Sequence, residues 1–159
     1  MPARMHLWFG LALWVVLLCP AVAIAEPRLK DLLAAPEQLP LAGGTLRLEV
    51  DLWRDFMPIA PADGRPLMAS ITLKPMRGAV LPDALAVESV WVVNGQQLWM
   101  AEPGEVRLSD GASPSLVVVV RDGPKWGPGI DVDVVVRIRT ATGESRLLRA
   151  AGQRIERTD

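Results

Sequence analysis

Ile130-Asp131-Val132-Asp133-Val134-Val135-Val136-Arg137-Ile138-Arg139-Thr140 is the stretch that decides the fold. In an extended chain Ile130, Val132, Val134, Val136 and Ile138 share one face, and Asp131, Asp133, Val135, Arg137 and Arg139 share the other. Strand side chains alternate at every residue, so this pattern predicts a strand with one buried face. Just upstream, Leu116-Val117-Val118-Val119-Val120 is a mostly β-branched run closed by Arg121-Asp122-Gly123-Pro124. Lys125-Trp126-Gly127-Pro128-Gly129 then makes a loop. Downstream, Thr140–Gly143 turns the chain and Glu144–Ala150 returns as an antiparallel partner. Three strands in succession, with no helical period between them, indicate the middle of an antiparallel sandwich.

The rest of the chain repeats this pattern. Thr45–Trp53 alternates, with Leu46, Leu48, Val50 and Leu52 on one face and Arg47, Glu49 and Asp51 on the other. A loop rich in proline, Arg54–Pro66, precedes a second strand, Leu67–Lys74, which Pro75 stops. Leu85–Val93 is a third strand. Asn94-Gly95 is the strongest hairpin signal, since both residues tolerate the positive φ of a type I′ turn, and it returns the chain as Gln96–Ala101. Glu102–Pro114 reads as a crossing loop.

The fold class expected is therefore all-β: a seven-stranded antiparallel sandwich over residues 45–152. A lead-in of residues 26–44 precedes it, read as a tether because Arg28–Leu33 is too short for a stable isolated helix. A charged tail of residues 153–159 follows. About one hundred residues of strands and turns is the usual size of an immunoglobulin-type module. With Trp91 on its third strand, the pattern resembles an immunoglobulin-like or fibronectin-III-like sandwich, without the paired cysteines or the tyrosine corner. The whole chain also looks like the small exported proteins of bacteria.

Residues 1–25 read as a secretory signal peptide. Arg4 gives a positive start, Leu7–Cys19 an apolar core, and Ala23-Ile24-Ala25 a small-x-small cleavage site. The alternative is an uncleaved anchor, because Leu7–Ala25 carries no charge and approaches the length that spans a bilayer. The expected location is periplasmic or secreted, with membrane contact only through that segment if it stays. Seventeen basic residues face eighteen acidic ones with no basic block, which argues against nucleic acid as a partner.

The only Cys (Cys19) and the only His (His6) both fall in the signal segment, and there is no Tyr. Residues 26–159 therefore cannot build a Ser-His-Asp triad, a Cys-His pair or an ordinary zinc site. Asp51, Asp55, Asp131 and Asp133 leave paired-carboxylate chemistry as a formal option. For Asp131 and Asp133, a solvated charge ladder with Arg137 and Arg139 is simpler. The Asp-Gly pairs at 63, 110 and 122 are ordinary turn dipeptides rather than calcium loops. Met57, Met68, Met76 and Met100 raise a copper reading, with Met57 and Met76 in loops as ligands and the others as packing. No cofactor is expected.

In a seven-strand sandwich, alternate connections emerge at one end. That brings Trp53–Pro66, Asn94-Gly95 and Asp122–Gly129 together, so Trp53, Arg54, Asp55, Phe56, Met57, Lys125 and Trp126 form the candidate site. Aromatic and arginine anchors on loops of a rigid scaffold are typical of binding surfaces. The competing use of Trp126 and Phe56 is as plugs for the open end of the core. The function expected is an exported, non-catalytic binding or accessory module of the cell envelope, with an envelope protein as partner. The alternatives are a periplasmic copper carrier and a purely structural envelope subunit.

Overall fold

Seven strands form where the alternation puts them, and two further strands and a short helix join them. The computed structural model describes residues 26–41, 43–109 and 114–159; the signal segment at 1–25 lies outside them. In chain order the elements are α1 (Leu29–Leu33), β1 (Leu39–Leu41), β2 (Gly44–Asp55), β3 (Leu67–Met76), β4 (Ala86–Asn94), β5 (Gln97–Ala101), β6 (Glu105–Ser109), β7 (Ser115–Gly123), β8 (Asp131–Arg139) and β9 (Ser145–Thr158).

The strands make a single curled path, β5-β4-β8-β9-β2-β3-β7-β6, with β1 added to β2. The fold is all-β as expected, but it is not a seven-stranded antiparallel sandwich. Among the described residues there are nine strands, and β2 and β9 run parallel, Leu52 beside Ile155 and Asp55 beside Thr158. The path curls so that its two halves share one core. Leu46, Leu52, Ile71, Val118 and Val120 from one half meet Val90, Val92, Val134, Val136 and Leu148 from the other. Near the open seam, the Trp99 ring of β5 rests against the backbone of Gly123 on β7, where a Cβ would fall 2.6 Å from the ring.

The curl turns on β9. Its first part pairs antiparallel with β8 and its last four residues pair with β2. Between Val132↔Gln153 and Val134↔Ala150 the ladder slips, leaving Ala151 and Gly152 opposite the single residue Asp133. Such a bulge bends a strand. Gly152 takes φ 62°, open to a residue without Cβ, and its N–H donates to Asp133 Oδ1 at 2.8 Å. Residues 153–159, expected as a tail, are thus mostly strand, and Ile155 is fully buried.

Asp133 therefore specifies the bend, and its expected ladder with Arg137 does not form. Arg137 lies over the Trp91 ring at 4.9 Å, Arg139 pairs with Glu88 at 3.1 Å, and Asp131 pairs across the strands with Arg154 at 3.1 Å. Asp133→Ala removes the acceptor of the Gly152 N–H and is expected to cost about 0.5–1.5 kcal/mol in urea unfolding. Asp133→Asn keeps an oxygen acceptor and should recover most of that loss. Equal midpoints for Asp133→Ala and wild type would remove Asp133 from this role.

Residues 29–35 of the lead-in also pack rather than tether. Leu32 of α1, fully buried, and Ala35 cover Trp91, Val93 and Val135 on the outer face of the β4–β8 sheet. Trp91 is buried under α1 and not in the shared core, where the immunoglobulin resemblance would place it. Val135, expected on the wet face, lies beneath the same helix. Arg149 holds this cover down: its backbone N–H donates to Pro36 O at 2.8 Å and its guanidinium to Leu33 O. The β4–β5 turn also differs from expectation. Asn94 pairs with Gln97, so Gly95 and Gln96 are the two turn residues. Only Gly95 has positive φ, as in a type II′ turn.

Candidate functional site at the loop end

Strand β2 carries its inward face one residue further than the alternation of leucines and valine announces. After Leu46, Leu48, Val50 and Leu52, the next inward position is Arg54, only 3% exposed. Its guanidinium fans out to backbone carbonyls of two loops. Nε donates to Arg65 O at 2.9 Å, Nη1 to Lys125 O at 3.1 Å and Gly127 O at 2.7 Å, and Nη2 to Asp63 O. A planar fork of N–H donors suits this task, and four carbonyl dipoles stabilise the buried charge in place of a carboxylate.

Phe56 completes the joint. Its ring lies 5.0 Å from the Arg54 guanidinium carbon and 4.1 Å from that of Arg157, in cation–π range. Gly64 passes directly beneath the ring: a Cβ there would sit 2.5 Å from it, and φ of 75° suits glycine as well. The Phe56 N–H donates to Thr158 O at 2.8 Å, so the loop is also tied to the end of β9. Asp55 accepts the Met57 N–H at 2.8 Å and pairs with Arg65 at 3.2 Å. Lys125 reaches Asp63 at 2.6 Å, and this hydrogen-bonded ammonium holds the Asp63 carboxyl below its ordinary range.

The two loops at residues 55–66 and 124–129 therefore meet as expected, but most of the seven candidate residues face inward. Arg54 is a buried organiser rather than an exposed anchor. Phe56 is held between arginines and Gly64. Trp126 is half-buried and packs on the main core, which is the plug arrangement. Trp53 stands apart on the outer face of β2, in a groove of about 390 Å³ with Arg154, Glu156 and Thr158. What the joint presents outward is Met57, 47% exposed, and Ile59, 83% exposed, with Lys125 and Asp63 beside the joint. The register places the β4–β5 turn at the same end, since Val93 lies opposite Asp133 near the start of β8. The alternation overlooked Asp63, Gly64, Arg65 and Arg157; only the inward phase of β2 extended to Arg54 signalled that something had to meet a buried cation.

The other chemistries fare differently. Asp55, Asp131 and Asp133 are each engaged by a neighbouring arginine, and among the described residues no three His, Cys, Asp or Glu side chains gather as a metal site. Met68 Sδ accepts from Arg121 at 3.3 Å. Met76 lies opposite Thr45 and Met68 opposite Trp53, so Met57 and Met76 follow opposite ends of the β2–β3 pair. Eight strand residues, about 27 Å, separate those ends. One ion cannot bind both within one molecule.

Compared with known proteins, the chain matches no family model, no curated relative and no solved structure. The fold and the loop end define a class only: an all-β protein, a curled mixed sheet whose loops at one end are locked around a buried arginine.

Proposed function

We propose that this chain is an exported, non-catalytic binding or accessory module of the cell envelope, and that its contact surface is the loop end. The observation that carries the reading is Arg54 joined to four carbonyls of two loops. Loops fixed in advance lose little conformational freedom on binding, which favours recognition. On that fixed base Met57 and Ile59 are exposed, and the same loops carry the Lys125–Asp63 and Arg65–Asp55 pairs. An apolar centre with a charged rim is the anatomy of a protein contact. The partner is an envelope protein, and the module itself holds no cofactor.

The test is quantitative capture from envelope extract. Met57→Glu/Ile59→Glu is expected to lower recovery of the captured protein at least tenfold. The thermal midpoint should stay close to wild type, because exposed substitutions usually move stability by under about 0.5 kcal/mol. Val80→Glu, at an equally exposed apolar residue elsewhere, is the control and should capture normally. Capture unaffected by the double substitution, or lost equally with Val80→Glu, would rule out the loop end.

A further inference from the structure

Strand β6 ends the sheet path, and beyond β7 no strand among the described residues pairs with its other edge. An open edge offers unpaired N–H and C=O groups to any extended chain, and proteins usually block it with short strands, charged side chains, proline or bulges. β6 is short and carries two charges, but it has neither proline nor bulge over Glu105–Ser109. Its pairing with β7 is regular throughout, and its two charged residues have opposite signs. The other end of the path, β5, turns inward, with Trp99 against Gly123.

We propose that β6 pairs antiparallel with β6 of a second copy of this chain, about a two-fold axis at Val106. Val106 then faces Val106 of the copy. Glu105 faces Arg107 and Arg107 faces Glu105, so two opposite-charge pairs form across the interface. Leu108 comes opposite Gly104, which has no side chain to obstruct it, and Pro103 ends the ladder. Shifting the centre to Arg107 would set the two arginines against each other, so charge selects the register. Cross-strand pairs of opposite charge favour a pairing and like pairs oppose it. Within one molecule Arg107 already bonds Glu105 along its own strand. Both residues are exposed enough to reach across as well.

The apolar face agrees. Val106 is 50% and Leu108 67% exposed, and both border a groove of about 660 Å³ that reaches Leu81, Leu85 and Leu116. Pairing the edges brings the two Val106 side chains into contact and continues this apolar face from one copy to the next. So short an interface makes the association reversible rather than tight.

Sedimentation velocity on the purified chain, as the cell processes it, tests this. The wild type should shift from monomer to dimer with rising concentration. Glu105→Arg alone and Arg107→Glu alone should each weaken dimerisation at least tenfold, and an equimolar mixture of the two should restore it. Mixing discriminates because the pair within each molecule stays broken while the cross-pairs re-form. Val106→Lys, which keeps both charges, should also give a monomer. A wild type monomeric up to about 1 mM, single variants that associate normally, or a mixture no better than its components would each overturn the proposal.

Discussion

A chain ending after Gly152 is expected to lose cooperative folding. The residues removed are strongly polar, and a free tail would be dispensable. Here they are the half of β9 that reaches β2. Removing them takes away Ile155, fully buried in the core, and truncating one such side chain alone costs about 2–5 kcal/mol. It also strips β2 of its parallel partner over Leu52–Asp55, and removes the acceptors of the Gly129 and Phe56 N–H groups, Ile155 O and Thr158 O. Domains of this size are stable by only about 5–15 kcal/mol, so the combined loss is comparable with the whole. Urea unfolding followed by tryptophan fluorescence should show no sigmoidal transition for the truncated chain. Ile155→Ala, the milder variant, should keep the transition and lower stability by about 2–5 kcal/mol. A truncated chain that unfolds at the wild-type urea concentration would return residues 153–159 to the status of a tail.

What the sequence makes legible follows from which signals are local. Strands β2, β3, β4, β7 and β8 carry enough alternating or β-branched residues to be read alone. The part of β9 beyond Gly152 has Ile155 as its single apolar residue, and its partner lies about a hundred positions away, so no local pattern can reveal it. Helix α1 is similar: five residues have no stability of their own, and Leu32 matters only because Trp91, Val93 and Val135 lie beneath it. Those three carried a clue, since apolar residues at outward positions of adjacent strands call for a cover. β6 alternates too, but over five residues between prolines, which a loop matches equally well. At the loop end the meeting of the two loops is legible from connectivity. The direction of each side chain is not, because it depends on β2 continuing its inward phase through Trp53 to a charged residue, where hydrophobic patterning no longer guides the eye.

Arg54→Ala is expected to be the most damaging single substitution at the loop end, costing about 2–5 kcal/mol through orphaned carbonyls and the cavity it leaves. Four carbonyl oxygens lose their donor at once, and a space the size of an arginine opens beneath Phe56. Arg54→Lys keeps the charge but replaces a planar fork with one compact ammonium, which cannot serve acceptors spread across Asp63, Arg65, Lys125 and Gly127. A loss of roughly 2 kcal/mol is expected from it. Hydrogen exchange should locate the damage: the Gly64 N–H, bonded to Pro61 O, and the Gly129 N–H, bonded to Ile155 O, should exchange faster in Arg54→Lys, while amides of β8 change little. The Lys125–Asp63 pair makes the loop end sensitive to acid. Asp63 is held below its ordinary value in the folded chain, first by the hydrogen bond from Lys125, so whatever the pair contributes is present above the ordinary carboxylate pKa and fades as pH falls through the lowered one. The stability difference between wild type and Asp63→Asn should therefore shrink from neutral to acid pH. If Arg54→Ala unfolds like wild type with both loops equally protected, the two loops are held by something other than this arginine.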